Sequence, residues 1–77
     1  MLRLAQHARE RMRRRGITES EVEEALANIT AQWPSDEYPD ERTVICGTTR
    51  NGRRLKVVLP TADTGYVITV MDRDDER

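Results

Sequence analysis

Six residues, from Gly16 to Glu21, constrain the fold more than any other part of this sequence. The glycine follows three consecutive arginines, and glycine favours the left-handed conformation with which many helices end. Thr18 and Glu21 have the spacing of a capping box, in which each side chain bonds the other residue's backbone N–H at the start of a helix. One helix therefore ends and another begins within a few residues, and we predict a helical hairpin with helices at 2–15 and 19–29.

The residues inside the two predicted helices support this interpretation. Residues 2–15 contain neither glycine nor proline, and apolar side chains recur along them at helical spacing. The second helix has apolar residues in the i, i+3, i+4, i+7 pattern of one buried stripe: Val22, Ala25, Leu26 and Ile29. Both helices are thus expected to bury one face.

An Asn-Gly pair at positions 51 and 52 predicts a β-hairpin, because both residue types tolerate the positive φ angles of a two-residue turn. The flanking residues are rich in β-branched side chains, and we predict strands at 43–49 and 53–59. Pairing Arg50 with Arg53 then fixes the register. The side chains that share the predicted helix-facing side are Val44, Cys46, Thr48, Leu55, Val57 and Leu59.

The rest of the chain adds one good strand and two less regular segments. Residues 66–71 form the third predicted strand, 31–33 are compatible with a short edge strand, and 72–77 form a charged tail that we expect to fray. Helices followed by strands indicate an α+β fold, within a single domain over 1–77. The predicted architecture is an N-terminal helical hairpin packed on a three- to four-stranded antiparallel sheet.

The rare residue types exclude several classes of site. The one cysteine, Cys46, cannot form an intramolecular disulfide, so we expect a cytoplasmic protein rather than a small secreted one. One cysteine and one histidine also cannot supply the ligands of a structural zinc site, and we predict no metal and no cofactor. No run approaches the roughly 20 apolar residues of a membrane span, so we expect no membrane partner.

The charged residues are segregated along the chain, although the net charge is only -1. Residues 1–16 carry six arginines and one glutamate, whereas residues 17–42 carry eight carboxylates and one arginine. Residues 43–60 are basic again, and residues 61–77 are acidic. This alternation permits a basic face on a nearly neutral molecule, and it equally permits the basic segments to pair with the acidic ones.

His7 is the main candidate for chemistry, because histidine is the side-chain type that titrates nearest to neutral pH. On a helix with about 100° per residue, a sector of about 80° contains His7 with Arg3, Arg11 and Arg14. A proton-transfer group beside guanidinium groups has the elements needed for phosphodiester chemistry. The alternative is a half-buried histidine bonded to a backbone carbonyl, with the arginines paired to acids of the second helix.

The predicted sheet supplies further candidates for phosphate contacts. Three of them, Arg53, Arg54 and Lys56, are basic residues of the hairpin, and Thr69 of the last strand adds a hydroxyl donor. The alternative is that these cations only keep a strand soluble and protect its edge. Cys46 is expected to be a buried, inert thiol.

Two motifs in the helical region carry a family resemblance. Residues 7–18 read H-A-R-E-R-M-R-R-R-G-I-T, and residues 21–26 read E-V-E-E-A-L. This pattern resembles domain-of-unknown-function family 4258, a family of small bacterial domains whose members run H-A-x-x-R-M-x-x-R-G-I-S/T and then V-x-x-A-L. The later segments G-R-R-L-K-V-V and V-I-T-V are similar to the family's two terminal strands. The resemblance covers most of the chain.

The resemblance implies a fold related to RelE-like and BrnT-like toxins, in which two helices pack on a small antiparallel sheet and metal-independent ribonuclease activity is common. It also implies that His7, Arg11 and Arg15 are motif positions of a site to which the sheet contributes Arg54 and Thr69. The resulting catalytic candidates are His7, Arg11 and Arg54. The binding candidates are Arg14, Arg15, Arg53, Lys56 and Thr69.

Three functions remain open at this point. The first is a toxin-like, metal-independent endoribonuclease acting on RNA, in which His7 moves a proton while Arg11 and Arg54 stabilise the charge of the phosphorane. The second is a non-catalytic module that binds protein or nucleic acid through its basic face. The third is a partner-dependent domain whose sheet edge pairs with a protein such as an antitoxin, or with a second copy in a homodimer.

Overall fold

A computed structural model of the protein describes residues 2–75. In chain order its elements are β1 (Arg3–Leu4), α1 (Gln6–Arg15), α2 (Glu19–Ala27), β2 (Ile29–Pro34), β3 (Arg42–Thr48), β4 (Arg54–Pro60), β5 (Tyr66–Val67), β6 (Thr69–Asp72) and a 3₁₀ turn (Arg73–Asp75). Four strands form an antiparallel sheet in the order β2-β3-β4-β6, and β1 pairs with β5 in parallel. The predicted α+β class, with two helices and an antiparallel sheet, is confirmed.

The first helix starts at Gln6, four residues later than predicted, because the residues before it form β1. The backbone N–H of Arg3 donates to the carbonyl of Gly65 at 2.9 Å, which holds this segment extended beside β5. The Arg3 guanidinium bonds the Asp63 carboxylate, which lowers the pKa of that carboxyl, and it lies over the ring of Tyr66. Arg3 therefore does not belong to the helical stripe that the sequence predicts.

The junction between the helices has the predicted caps. Gly16 has a left-handed backbone with φ of 65°, and its N–H donates to the Arg13 carbonyl at 3.4 Å. The capping box of α2 is complete, since Glu21 donates its N–H to the Thr18 hydroxyl at 3.1 Å and accepts the Thr18 N–H at 2.9 Å. The second helix ends at Ala27, two residues earlier than predicted, because the chain then enters β2.

The turn between β3 and β4 contains three residues, 50–52, rather than the predicted two. Thr49 donates its N–H to the Arg53 carbonyl at 2.8 Å, and Gly52 donates its N–H to the Thr49 carbonyl at 3.0 Å. The Thr49 hydroxyl also accepts the Arg53 N–H at 3.0 Å. This is a tight turn followed by a left-handed glycine with φ of 87°, the usual form of a three-residue hairpin loop.

The additional loop residue shifts the register by one and exchanges the faces of β3, because side chains alternate along a strand. Ile45 pairs with Val57 and Gly47 pairs with Leu55 on the side that packs against the helices. The residues wrongly predicted for that side are Val44, Cys46 and Thr48. They lie on the opposite side, which we call the outer face. The predicted core residues of β4 are correct, since Leu55, Val57 and Leu59 are all buried.

The core lies between the helices and the inner side of the sheet. It consists of Ala8, Met12, Ile17, Val22, Ala25, Ile45, Leu55, Val57, Leu59, Val67 and Val70. Gly47 permits a close approach of α2 and β3, because a Cβ atom at this position would lie 1.9 Å from the Ala25 carbonyl oxygen. Neither helix of the described residues is long and apolar enough to cross a membrane.

The C-terminal part of the chain differs from the predicted strand and tail. The strand predicted at 66–71 is divided at Ile68, because β5 pairs with β1 whereas β6 pairs with β4. Asp72, predicted to belong to a frayed tail, is the last residue of β6, and the 3₁₀ turn follows it. The predicted tail at 76–77 lies outside the described residues.

Candidate nucleic-acid interface

The position of His7 follows from the way α1 packs. Ala8 and Met12 are buried, and they lie about 100° and 140° around the helix from His7. The histidine is therefore on a different side of the helix from the core, and its side chain is exposed. The alternative of a half-buried core histidine does not describe this ring.

A recess of about 230 Å³ opens on this side of the helix. We call it the α1 recess, and it is lined by His7, Glu10, Arg11, Arg14 and Arg15. Arg11 is half-buried and the other four side chains are exposed. Three guanidinium groups and one carboxylate give the lining a net positive charge with neutral histidine. Four of these residues are site candidates from the sequence, so the structure brings those four together.

Arg15 joins the recess although it lies about 80° from His7 on the helical wheel. It is the last residue of α1, and its carbonyl oxygen accepts a hydrogen bond from Nη2 of Arg53 at 2.8 Å. The three arginines of this last turn also complement the negative end of the helix dipole. Arg53 of the hairpin therefore holds the C-terminal end of α1, where Arg14 and Arg15 line the recess.

The Arg53 guanidinium is surrounded by hydrogen-bond acceptors of neighbouring segments. Its Nε and Nη2 donate to the Asp72 carboxylate at 2.7 and 3.1 Å, and its Nη1 donates to the Gly16 carbonyl at 2.9 Å and to Glu21 at 3.3 Å. With the bond to the Arg15 carbonyl, all five N–H groups of the guanidinium are used. The bonded carboxylate of Asp72 raises the pKa of Arg53. Contrary to the expectation from the sequence, Arg53 has no N–H left for a phosphate.

Arg54 lies on the other side of the molecule from the α1 recess. Its neighbour Leu55 is buried toward the helices, so Arg54 projects from the outer face, where its guanidinium pairs with Asp74 of the 3₁₀ turn. The sheet thus separates Arg54 from His7. These two predicted catalytic residues do not meet in one site.

The remaining sheet candidates also lie on the outer face. Lys56 pairs across the strands with the buried, free thiol Cys46, and the Lys56 side chain is itself buried. Thr69 pairs with Val58, and its Oγ1 is buried without a hydrogen-bond partner among the described residues. Neither residue lines the α1 recess.

The chemistry available in the α1 recess comes from imidazole, carboxylate and guanidinium groups. An imidazole ring can accept and donate a proton, and guanidinium groups bind phosphate oxygens with paired hydrogen bonds. Arginine is not a metal ligand, and within residues 2–75 no three His, Cys, Asp or Glu side chains are grouped so as to hold a metal ion. Groups of these types can bind phosphate oxygens and transfer protons.

Glu10 is the recess residue that sequence reasoning missed. In the sequence it stands out only as the single acid among the six arginines of residues 1–16. A usable signal was present, because Glu10 follows His7 by three residues and side chains at this spacing are neighbours on a helix.

The model of the family described as "Domain of unknown function (DUF4258)" matches residues 4–72 of the chain. No curated protein and no solved structure matches it.

Proposed function

The chain belongs to the DUF4258 family, whose description states no activity, and we propose from the α1 recess that it is a metal-independent, toxin-like ribonuclease acting on RNA phosphodiesters. The observation that carries this proposal is the exposed position of the sole histidine in a recess with three arginines. In this function Arg11, Arg14 and Arg15 bind phosphate oxygens, and His7 transfers a proton.

Guanidinium groups suit this substrate for a geometric reason. Each presents a planar pair of N–H donors that matches two phosphate oxygens, and the positive charge stabilises the phosphorane as negative charge develops. RNA carries its own nucleophile, the ribose 2′-hydroxyl, so the protein needs proton transfer and charge stabilisation but no activated water. His7 and the arginines of the recess supply both requirements.

The proposed site differs from the one that the family resemblance implies. It rests on α1 alone, because Arg54, Lys56 and Thr69 project from the outer face and Arg53 is fully bonded. The resemblance to RelE-like toxins that we infer from the sequence suggests the reaction class of the proposal, and the participation of the sheet residues is not part of the proposal. Activity on RNA in the cytoplasm also agrees with a chain whose one thiol, Cys46, is buried and free.

The test is cleavage of a labelled single-stranded RNA in the presence of EDTA. We expect the wild-type protein to cleave it and to leave the matching DNA intact, because DNA lacks the 2′-hydroxyl. His7→Ala should lower the rate by at least about 100-fold, the usual contribution of a proton-transfer group. Arg9→Ala is the control for Arg14→Ala, since Arg9 is an exposed arginine of α1 outside the recess. Of these two arginine variants, only Arg14→Ala should slow cleavage.

A non-catalytic binding module is the second candidate, and the separation of Arg54 from His7 by the sheet favours it. In that case the protein binds the RNA but leaves it intact, and His7→Ala changes the affinity only slightly. Cleavage by the wild-type protein that His7→Ala does not reduce would remove His7 from the reaction and point to a contaminating nuclease.

Partner binding is compatible with either candidate. The three large hydrophobic side chains that are exposed among residues 2–75 are Ile29, Trp33 and Tyr38, all within one segment that begins with the edge strand β2. A protein partner such as an antitoxin, or a second copy in a homodimer, would cover this segment. Light scattering after size exclusion measures the mass directly, and a mass of one chain at micromolar concentration would exclude the homodimer.

A further inference from the structure

The α1 recess contains one carboxylate, and its position beside His7 suggests a chemical role. We propose that Glu10 is a catalytic residue of the ribonuclease reaction, the general base that takes the proton of the ribose 2′-hydroxyl while His7 acts as the general acid. This inference rests on the proposed function, and it assigns the two proton transfers that cleavage of RNA requires.

Cleavage of RNA by its own 2′-hydroxyl involves two proton transfers, one on each side of the phosphorus. The 2′-oxygen loses its proton to the Glu10 carboxylate and forms a new bond to phosphorus. The bond from phosphorus to the 5′-oxygen breaks, and this oxygen takes a proton from the His7 imidazolium. The products are a 2′,3′-cyclic phosphate and a 5′-hydroxyl, and the proton that Glu10 has gained balances the one that His7 has lost. No metal, oxidant or further reactant enters the step.

The helical geometry of α1 gives Glu10 and His7 a spacing that suits a general base and a general acid acting on one phosphate. Residues three apart on a helix have Cβ atoms roughly 5–6 Å apart, so a carboxylate and an imidazole at this spacing reach two sides of one phosphate. On the helical wheel Glu10 lies about 60° to one side of His7 and Arg11 lies about 40° to the other. Arg14 falls between Glu10 and His7 on the wheel, and in the proposed reaction its guanidinium binds the phosphate oxygens that do not react.

A carboxylate in a site that binds phosphate requires a reason, because it repels the substrate. Glu10 lowers the positive charge of a recess that otherwise contains three arginines. If the site only bound RNA, this acid would weaken it. If Glu10 is the general base, its contribution to the reaction rate offsets its repulsion of the phosphate. The competing explanation is that Glu10 stabilises α1 by pairing with Arg14 one turn later, and the experiment must separate the two roles.

The experiment compares Glu10→Gln and His7→Gln with Glu23→Gln, an exposed glutamate of α2 outside the recess. Cleavage rates are measured against pH on a labelled single-stranded RNA, and affinity is measured on the same RNA with 2′-O-methyl groups, which cannot react. We expect Glu10→Gln to lower the rate by at least about 100-fold with equal or tighter binding. Glu23→Gln should cleave like the wild-type protein. The cyclic phosphate end should be visible by mass spectrometry.

The pH profile distinguishes the base from the acid. A general base is active when deprotonated, so the wild-type rate should fall at low pH, and the residual activity of Glu10→Gln should lack this fall. The residual activity of His7→Gln should lack the fall at high pH. If Glu10 has only a structural role, the pH profile of the cleavage rate of Glu10→Gln should keep both its fall at low pH and its fall at high pH.

Each failure has its own signature. If His7→Gln is inactive while Glu10→Gln cleaves within about threefold of the wild-type rate, the role of Glu10 is wrong and the ribonuclease function stands. If the wild-type protein binds the methylated RNA but does not cleave the natural one, the ribonuclease function fails and the role of Glu10 fails with it.

Discussion

Arg53 connects three parts of the chain that are distant in sequence. Its guanidinium bonds the last carbonyls of α1, the Glu21 carboxylate of the α2 capping box, and Asp72 at the end of β6. Glu21 and Asp72 are themselves largely buried, at 17% and 21% side-chain exposure. A single side chain thus fixes the end of the helix that carries the α1 recess, and it does so with charge-assisted hydrogen bonds.

The first prediction concerns Arg53→Met. Methionine keeps most of the apolar stem but removes every side-chain hydrogen bond, so the two largely buried carboxylates, Glu21 and Asp72, lose their cation. We expect the free energy of unfolding at neutral pH to fall by about 2–4 kcal/mol, a range typical of breaking a desolvated charged network. Urea denaturation followed by circular dichroism measures it.

The matched control is Arg54→Met, the same substitution at the next position. Arg54 pairs with Asp74 at the surface, where ion pairs contribute about 1 kcal/mol or less. Equal losses for the two variants would contradict the structural role assigned to Arg53.

At the scale of elements, the packing of α2 on β3 depends on the missing side chain of Gly47. A Cβ atom at this position would lie 1.9 Å from the Ala25 carbonyl oxygen, which is far below van der Waals contact, and the atom it meets belongs to the backbone. A flexible side chain could move aside, but a helix carbonyl moves only with its helix. The glycine is therefore required by close approach, since its φ angle is not positive.

The second prediction is that Gly47→Ala destabilises the fold by about 3 kcal/mol or more, because an overpacked core must displace α2 from the sheet. Thermal unfolding by calorimetry checks this value. Gly65→Ala serves as the control, since a Cβ there would lie 3.6 Å from the nearest atom, in ordinary contact with an Asp63 side-chain oxygen. A Gly47→Ala protein as stable as the control would mean that α2 and β3 do not approach each other so closely.

The hairpin at 50–52 illustrates why element boundaries are harder to predict than elements. The Asn-Gly pair correctly predicts a turn, but two-residue and three-residue loops both use a left-handed glycine. The three-residue loop is held by Thr49, whose backbone and hydroxyl both bond Arg53, and it places Gly47 against α2, where a residue with a Cβ atom would not fit. A change of one loop residue then moved every side chain of β3 to the other face.

At the scale of the whole molecule, the segregated charges are used in two different ways. Three hairpin cations pair with acids, since Arg50 contacts Glu24, Arg53 contacts Glu21 and Asp72, and Arg54 contacts Asp74. The expectation that the basic strand pairs with the acidic helix and the end of the chain therefore describes the hairpin. Three arginines of α1, Arg11, Arg14 and Arg15, line the recess. The molecule has a local basic surface although its net charge is -1.

The third prediction follows from the grouping of three arginines at the α1 recess. If three arginines of the recess contact phosphates of a single strand, the logarithm of the binding constant should fall with the logarithm of salt concentration at a slope of about -2. Arg14→Ala should reduce the size of the slope by about 0.7, whereas Arg9→Ala should leave it unchanged. Fluorescence anisotropy with the 2′-O-methyl RNA measures both slopes. Equal slopes for the two variants would show that total charge, rather than the recess, governs binding.

The sequence by itself determined the features that depend on neighbouring residues. The left-handed glycine and the capping box fix the junction of the helices, because their hydrogen bonds lie within a few residues of one another. Helical spacing likewise places His7 beside Arg11 and Arg14, since the geometry of a helix relates these positions without any tertiary contact. The α+β class and the basic side of α1 follow from such local chemistry.

Only the tertiary structure decided what depends on contacts between distant segments. The pairing of β1 with β5 keeps Arg3 out of the helix. The carbonyl oxygens of Arg15 and Gly16, at the end of α1, accept hydrogen bonds from the Arg53 guanidinium. The register of β3 and β4 placed Arg54 on the far side of the sheet from His7. Each outcome is a choice among partners that are all compatible with the local sequence, and tertiary packing selects the arrangement that fills the core and bonds the Arg53 guanidinium.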